Sequence, residues 1–262
     1  MDPPVYDTLI LSDLHLGSDT SRAGDATRVL KANRFGRLIL LGDIFADLNF
    51  RRLTKEHWKF LGYIRKLSNP KRQIEVIWVE GNHDHGLTDV MSHLVGVRVY
   101  EEYAWEYAGL RHLAIHGHQF DRLLAKRLRL NYFGTLFYLQ LQKLDLKGKP
   151  LARLIDRLNT RWLRMSSKVA SGALFHARAR KVDRIFCGHT HEALHEQRDG
   201  IDYYNSGGWV DSNAAYLTID DSGVQIHHYQ PPPNSPESPA EKADFDLDTE
   251  FADEREHQHI VH

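Results

Sequence analysis

Cysteine, net charge and long apolar runs are all scarce in this 262-residue chain, and each scarcity closes off a class of protein. Its single cysteine, Cys187, excludes an internal disulfide framework and makes a reducing compartment the simplest expectation. No run approaches the roughly 20 apolar residues of a membrane-spanning helix. Met1-Asp2-Pro3-Pro4 offers neither a basic leader nor an apolar core, so the expected location is cytoplasmic. Proline is sparse in the body of the chain, with five of nine between Pro231 and Pro239. What remains, 42% hydrophobic and 26% charged residues, is the composition of a globular protein large enough for one domain with an insertion.

The net charge of -1 hides a segregation of charge. Residues 121–182 hold 15 Lys+Arg against 3 Asp, whereas residues 231–262 hold 2 Lys+Arg against 9 Asp+Glu. The first stretch is a basic insert and the second an acidic tail, and they call for separate interpretation.

Hydrophobic patterning supplies the architecture. Val5–Leu11, Arg37–Leu41 and Ile74–Val79 are short, nearly continuous apolar runs, the pattern of strands buried on both faces. Helical patterns lie between them: a polar stretch with spaced apolar residues over 20–35, and 55–67, where Trp58, Leu61, Ile64 and Leu67 recur every three residues before Asn69-Pro70 ends the helix. Strands alternating with helices predict an α/β sheet with parallel members. Further strands are expected at 103–107, 111–115, 183–187, 201–204, 215–219 and 224–229, with turns at Asp199-Gly200 and Ser222-Gly223. These suggest a second, more antiparallel sheet, and so an α/β protein built as a two-sheet β-sandwich flanked by helices. One domain is expected over 1–229, with a helical cap insert at about 119–182, followed by a Pro-rich acidic tail, 230–262, whose composition is that of a disordered segment.

Nearly every predicted strand of the parallel kind stops at polar residues able to bind metal. Ser12-Asp13-Leu14-His15 follows the first, Gly42-Asp43 the second and Gly81-Asn82-His83-Asp84 the third. His116-Gly117-His118 and Gly188-His189-Thr190-His191 follow two of the later ones. In open α/β sheets ligands collect beyond the carboxyl ends of the strands. An isolated Asp-x-His triplet means little, but carboxylates, imidazoles and an amide repeated at successive strand ends are the mixed donor set of a divalent-metal site. Two such ions, roughly 3.5–4 Å apart, are a general device for phosphate ester and anhydride hydrolysis.

These five motifs, in this order, resemble those of the calcineurin-like metallophosphoesterases, over residues 5 to about 220. Within that family the chain is similar to the UDP-2,3-diacylglucosamine diphosphatases of lipid A synthesis in Ser12-Asp13-Leu14-His15-Leu16, Gly42-Asp43-Ile44-Phe45, the long insert after His116, and Asn205-Ser206-Gly207-Gly208-Trp209-Val210. It departs from the best-studied branch of that subgroup at His83, where that branch carries Arg, and at His118, where it carries Asp. The resemblance implies a calcineurin-like phosphoesterase fold and two divalent metal ions, manganese first, with iron or zinc as alternatives. It implies Asp13, His15, Asp43 and His191 around one ion, and Asp43, Asn82, His116 and His189 around the other, with Asp43 as the bridge. It also implies His83 as the acid and Asp84 as the group that orients it. The implied reaction splits a pyrophosphate to UMP and a lipid monophosphate. His118 is expected to contact substrate or solvent rather than metal.

Substrate choice is expected to reside in the insert. Leu151, Leu154, Ile155, Leu158 and Trp162 follow helical spacing, with Arg153, Arg157, Arg161 and Arg164 on another face, and the stretch 130–146 is dense in Leu, Phe and Tyr. One interpretation is a helical hairpin packed on the main domain with solvated arginines. The other is a cap for acyl chains that rests on the anionic inner face of a membrane, with Arg153, Arg157 and Arg161 binding a phosphorylated, lipid-linked nucleotide. The two are compatible. A nuclease or nucleotide phosphodiesterase, or a non-catalytic scaffold of the same fold, are the alternatives. Dense leucine among the aromatics suits a lipid tail better than a base-stacking surface, which disfavours nucleic acid.

Overall fold

The computed structural model describes residues 5–86, 92–93, 96–120, 166–210 and 213–231. Its core is two face-to-face sheets with helices outside each. The first sheet contains β1 (Val5–Leu11), β2 (Arg34–Leu41), β3 (Glu75–Val79), β4 (Arg98–Tyr100), β10 (Ala215–Asp220) and β11 (Gly223–His228), in the order β11-β10-β1-β2-β3-β4. From β1 to β4 all neighbours are parallel, and β10 and β11 add an antiparallel edge. The second sheet contains β5 (Glu102–Tyr107), β6 (Leu110–Ile115), β7 (Arg184–Cys187), β8 (Ala193–Arg198) and β9 (Ile201–Ser206), in the order β5-β6-β7-β9-β8. Here the expectation needs correcting. The centre of this sheet, β6-β7-β9, is parallel and only its edges are antiparallel, while the two last strands of the chain join the first sheet.

Continuous apolar runs are needed because the strands are covered on both sides. On β1 and β2, Leu9, Leu11, Leu38 and Leu40 face α1 (Ala23–Ala32) and α2 (Lys55–Leu67), whose Ala26, Leu30, Phe60 and Ile64 complete that layer. Alternate residues of the same strands and of β3, Ile10, Ile39, Leu41, Ile77 and Val79, face the other sheet and meet Trp105, Ala114, Phe186 and Tyr204. The outer face of the second sheet, with Leu113, Ile115, Ile185, Cys187 and Tyr203, lies under α3 (Ser166–Arg180) through Ala170, Ala173, Leu174 and Ala177. Cys187 thus packs as a small apolar residue, fully buried. Among the described residues no helix is long and apolar enough to cross a membrane.

The buried stripe of α2 differs from the expected one. It runs His57, Phe60, Leu61, Ile64, Leu67, and Trp58 is 43% exposed. His57 is buried because it serves as a cap: the Thr54 hydroxyl accepts the His57 N–H at 3.4 Å, and His57 Nδ1 accepts the N–H groups of Thr54 at 3.1 Å and Gly17 at 3.2 Å. Burial pushes the His57 pKa down from 6.5 to about 4. A base whose folded pKa is depressed binds fewer protons in the folded than in the unfolded state between those values. Its contribution to stability is therefore complete above pH 6.5 and lost as pH falls toward 4. His57→Ala leaves two N–H groups without their acceptor and should cost about 1–3 kcal/mol at neutral pH. It should also flatten the rise of stability with pH over that window, as measured by urea unfolding at several pH values.

Candidate metal centre

Asp13 follows β1, Asp43 follows β2, Asn82 to Asp84 follow β3, His116 follows β6, and His189 and His191 follow β7. Parallel strands end on the same side, so both sheets deliver these residues to one rim. Three sets of side chains there each have ligand atoms within 4.8 Å of one another: Asp13, His15 and His191; Asp43, His116 and His189; and His15, Asp43 and His83. His15 and Asp43 recur in the third set, which joins the first two. His191 Nε2 is 3.2 Å from Asp13 Oδ1 and 3.2 Å from His15 Nε2, and His116 Nε2 is 3.3 Å from Asp43 Oδ2.

The backbone is bent to make this possible. Asp13, His15, Asp43, His189 and His191 all have φ between 47° and 68°, a left-handed conformation that costs non-glycine residues energy and concentrates at functional sites. The loops after β1 and β2 nevertheless remain paired: Asp13 N–H donates to Gly42 O at 3.0 Å, His15 N–H to Asp43 O at 3.0 Å and Leu16 N–H to Ile44 O at 2.7 Å. Asp13 and Asp43 each use one carboxylate oxygen to hold a neighbouring ligand loop. Asp13 Oδ2 accepts from His189 N–H at 2.9 Å, and Asp43 Oδ1 from His83 N–H at 2.8 Å.

Several buried polar atoms at this rim have no hydrogen bond among the described residues. Asp13 Oδ1, Asn82 Oδ1 and His116 Nε2 are buried with no hydrogen-bond partner among the described residues. Buried polar atoms are normally paired, and carboxylate, amide and imidazole lone pairs gathered in one place suit divalent cations. Burial lowers His15 to about 3 and His189 to about 4, keeping both neutral. Burial works to raise Asp13 and Asp43, but His191 and His116 outweigh it at Asp13, as His116 and His83 do at Asp43, so both stay ionised. Burial works to lower His116 as well, yet the Asp43 carboxylate raises it to about 10. The donor sets therefore suit divalent cations, with Asp13, His15 and His191 gathered in one and Asp43, His116 and His189 in another.

His83 is the most exposed of the group, and its Nδ1 is fixed on Ala46 O at 2.7 Å. Burial lowers its pKa, but Asp43 and the Ala46 carbonyl overcome this and raise it, favouring the proton-bearing ring. The expected role of Asp84 needs correcting. Its carboxylate accepts from the N–H groups of Ile44 at 3.0 Å and Phe45 at 2.9 Å, so it braces the loop that follows Asp43, and the Ala46 carbonyl orients His83. Burial, with the charge of Asp43 beside it, pushes Asp84 up to about 7. His118 is partly buried, its ring 5.5 Å from that of His116 and its Nδ1 without a hydrogen bond. Arg153, Arg157 and Arg161, and most of the proposed cap, lie outside the described residues. The motifs gave no role to Ser12, Asn205 and Ser206, which lie fully buried behind Asp13.

A sequence model of the calcineurin-like phosphoesterase superfamily domain matches residues 7–221, and the chain belongs to that family. With its His/Asp clusters, it is a metal-dependent phosphohydrolase. Solved structures similar to it include a novel archaeal phosphodiesterase (13% identity, TM-score 0.48, covering 85% of this chain and 99% of that one). Another is a predicted phosphoesterase from Streptococcus pneumoniae (17% identity, TM-score 0.40, 85% and 88%). A third is Vps29 from Entamoeba histolytica complexed with zinc (13% identity, TM-score 0.43, 85% and 97%). No curated protein matches the chain.

The close approach of Gly81 to Asp43 provides a test. A Cβ at this position would collide with the backbone N and the Oδ1 of Asp43, neither of which can swing away. Gly81→Ala should cost about 1–3 kcal/mol through overpacking. It should also weaken divalent-metal binding by an order of magnitude or more, read by thermal unfolding and by calorimetric metal titration.

Proposed function

We propose that this phosphohydrolase cleaves the pyrophosphate of a UDP-linked diacylglucosamine, giving UMP and a lipid monophosphate, at the inner face of a membrane and as a step of lipid A synthesis. The supporting observation is the pairing of the metal centre with the segment Asn205-Ser206-Gly207-Gly208-Trp209, the stretch by which the sequence resembles that subgroup. Trp209 N–H donates to Asp13 O at 3.0 Å, and Gly208 lies against His191 and Asp13. The basic, leucine-rich composition of 121–165 supports a cap for acyl chains beside an anionic surface. Manganese is the proposed ion, with iron or zinc as alternatives.

Divalent ions held by these residues supply an activated water and neutralise charge on the phosphoryl oxygens. The chain's own residues do the rest. Asp43, ionised and shared between the two ligand sets, fixes their separation. His83 donates its Nδ1 proton to Ala46 O, and the second proton of the charged ring, favoured by Asp43, sits at Nε2 and is available to the leaving phosphate oxygen. One P–O bond of the anhydride breaks, water adds its hydroxyl to the phosphorus that becomes UMP, and a proton goes to the lipid phosphate.

His83→Ala should lower kcat by about 10²–10⁴-fold without unfolding the protein, and Asp43→Ala should abolish turnover with loss of bound metal. Full activity in either variant overturns these assignments. Replacing 121–165 with a short linker should abolish turnover of UDP-diacylglucosamine while sparing a small activated phosphodiester. The deciding assay is a panel with manganese present: UDP-diacylglucosamine, nucleotide diphosphates, cyclic nucleotides and single-stranded DNA. Preference for any of the last three, or no hydrolysis at all, overturns the lipid substrate.

A further inference from the structure

The metal ligands come from two sheets whose mutual contact is apolar at its centre, with polar bonds at Tyr103–Glu75, Tyr107–Asp221 and His116–Leu41 O. Ile10, Ile39, Leu41 and Ile77 against Ala114, Phe186 and Tyr204 give cohesion, but such contact is non-directional and does not set how one sheet lies along the other. Directional bonds between the sheets also occur immediately behind the metal centre. Ser12 follows the first sheet's β1 and precedes Asp13. Asn205 and Ser206 end the second sheet's β9, next to β7, which leads into His189. All three are fully buried.

Ser12 Oγ lies 2.7 Å from Ser206 Oγ and 2.8 Å from Gly207 O, and Ser206 Oγ lies 3.2 Å from Cys187 O. Two hydroxyl protons serve these three contacts. The shorter distances correspond to Ser206 donating to Ser12 and Ser12 donating to Gly207 O. Asn205 braces the second sheet's side of this contact: its Nδ2 donates to Gly188 O at 2.6 Å, and its Oδ1 accepts the N–H of Gly207, whose carbonyl accepts from Ser12. Gly188 is the residue on which the contact closes. A Cβ there would come within 2.6 Å of Asp13 Oδ2 and 2.7 Å of Ser12 Cβ and Oγ, so the His189 loop is seated directly on the Ser12-Asp13 turn.

We infer that Ser12, Asn205 and Ser206 are positioning residues that lock the ligand loop carrying Asp13 to the loop carrying His189 and His191, and so set the separation of the metal-binding groups. This rests on the metal centre proposed above. Groups that hold ligands in place typically change metal affinity or activity 10–100-fold when removed, and a two-ion site tolerates little displacement.

The test uses the full-length, metal-free chain and its Ser12→Ala, Ser206→Ala and Asn205→Asp variants. Asn205→Asp keeps the acceptor for Gly207 N–H but puts an oxygen where the donor to Gly188 O stood. Ile39→Val, in the apolar contact between the same sheets, is the reference for a purely structural change. Manganese affinity and stoichiometry are measured by calorimetry, metal-free Tm by thermal unfolding, and kcat and KM on bis(p-nitrophenyl) phosphate. The three polar variants should bind manganese 10–100-fold more weakly, with kcat falling and KM little changed. Ser12→Cys, of similar size and with a weak donor, should recover part of the loss. Ile39→Val should lower Tm and leave affinity as in wild type. Wild-type affinity in the polar variants, affinity that merely follows Tm across all variants, or failure of all three polar variants to fold would each overturn the inference. A wild-type chain that binds no divalent metal would instead overturn the metal centre itself, and the inference with it.

Discussion

The molecule depends on the burial of carboxylates and imidazoles where two sheets meet. Asp43 is at its centre, 2% exposed, 3.3 Å from His116 Nε2 and bonded through its other oxygen to the backbone of His83. A carboxylate so placed is expensive to desolvate and is tolerated only when opposite charge and hydrogen bonds surround it. In the metal-free chain the raised His116 supplies that charge. The same geometry leaves Asp13 Oδ1 and Asn82 Oδ1 buried without hydrogen bonds among the described residues, acceptors that suit cations.

The rest of the fold holds this arrangement in place. The four-layer packing keeps the strand ends fixed, and the left-handed residues at Asp13, His15, Asp43, His189 and His191 turn the side chains inward at a cost in backbone strain that the core must offset. Asp84 braces the loop after Asp43, the Ser12–Ser206 contact ties one sheet's ligands to the other's, and Asn205 braces the Gly188 and Gly207 turns beside it. Apolar packing provides most of the stability, while a small number of buried polar bonds set the geometry.

Much of this was legible in the sequence because the physical signals were strong and local. Val5–Leu11 and 55–67 are clear in apolar periodicity, and the ligands stand at strand ends in chain order. Other features gave no such signal. Arg98–Tyr100 is a three-residue strand with no apolar run, and Ala193–Arg198 is an exposed edge strand of mostly polar residues. His57 displaced Trp58 from the buried face of α2 because a histidine can accept two backbone N–H groups from within the core, which no hydropathy pattern expresses.

By itself the sequence determined which residues are chemically able to bind metal, that they follow strands, and that the strands are covered on both faces. Those properties depend on residue type and spacing within a few positions. Only the tertiary structure decided that β10 and β11 join the first sheet, that Ala46 rather than Asp84 orients His83, and that Ser12 meets Ser206 from 194 positions away. Pairing between sheets is set by packing and hydrogen bonding among distant segments, and no local pattern encodes it. Asp13 and His15, one short turn in the sequence, become half of a ligand set only when the second sheet brings His191 to within 3.2 Å of both.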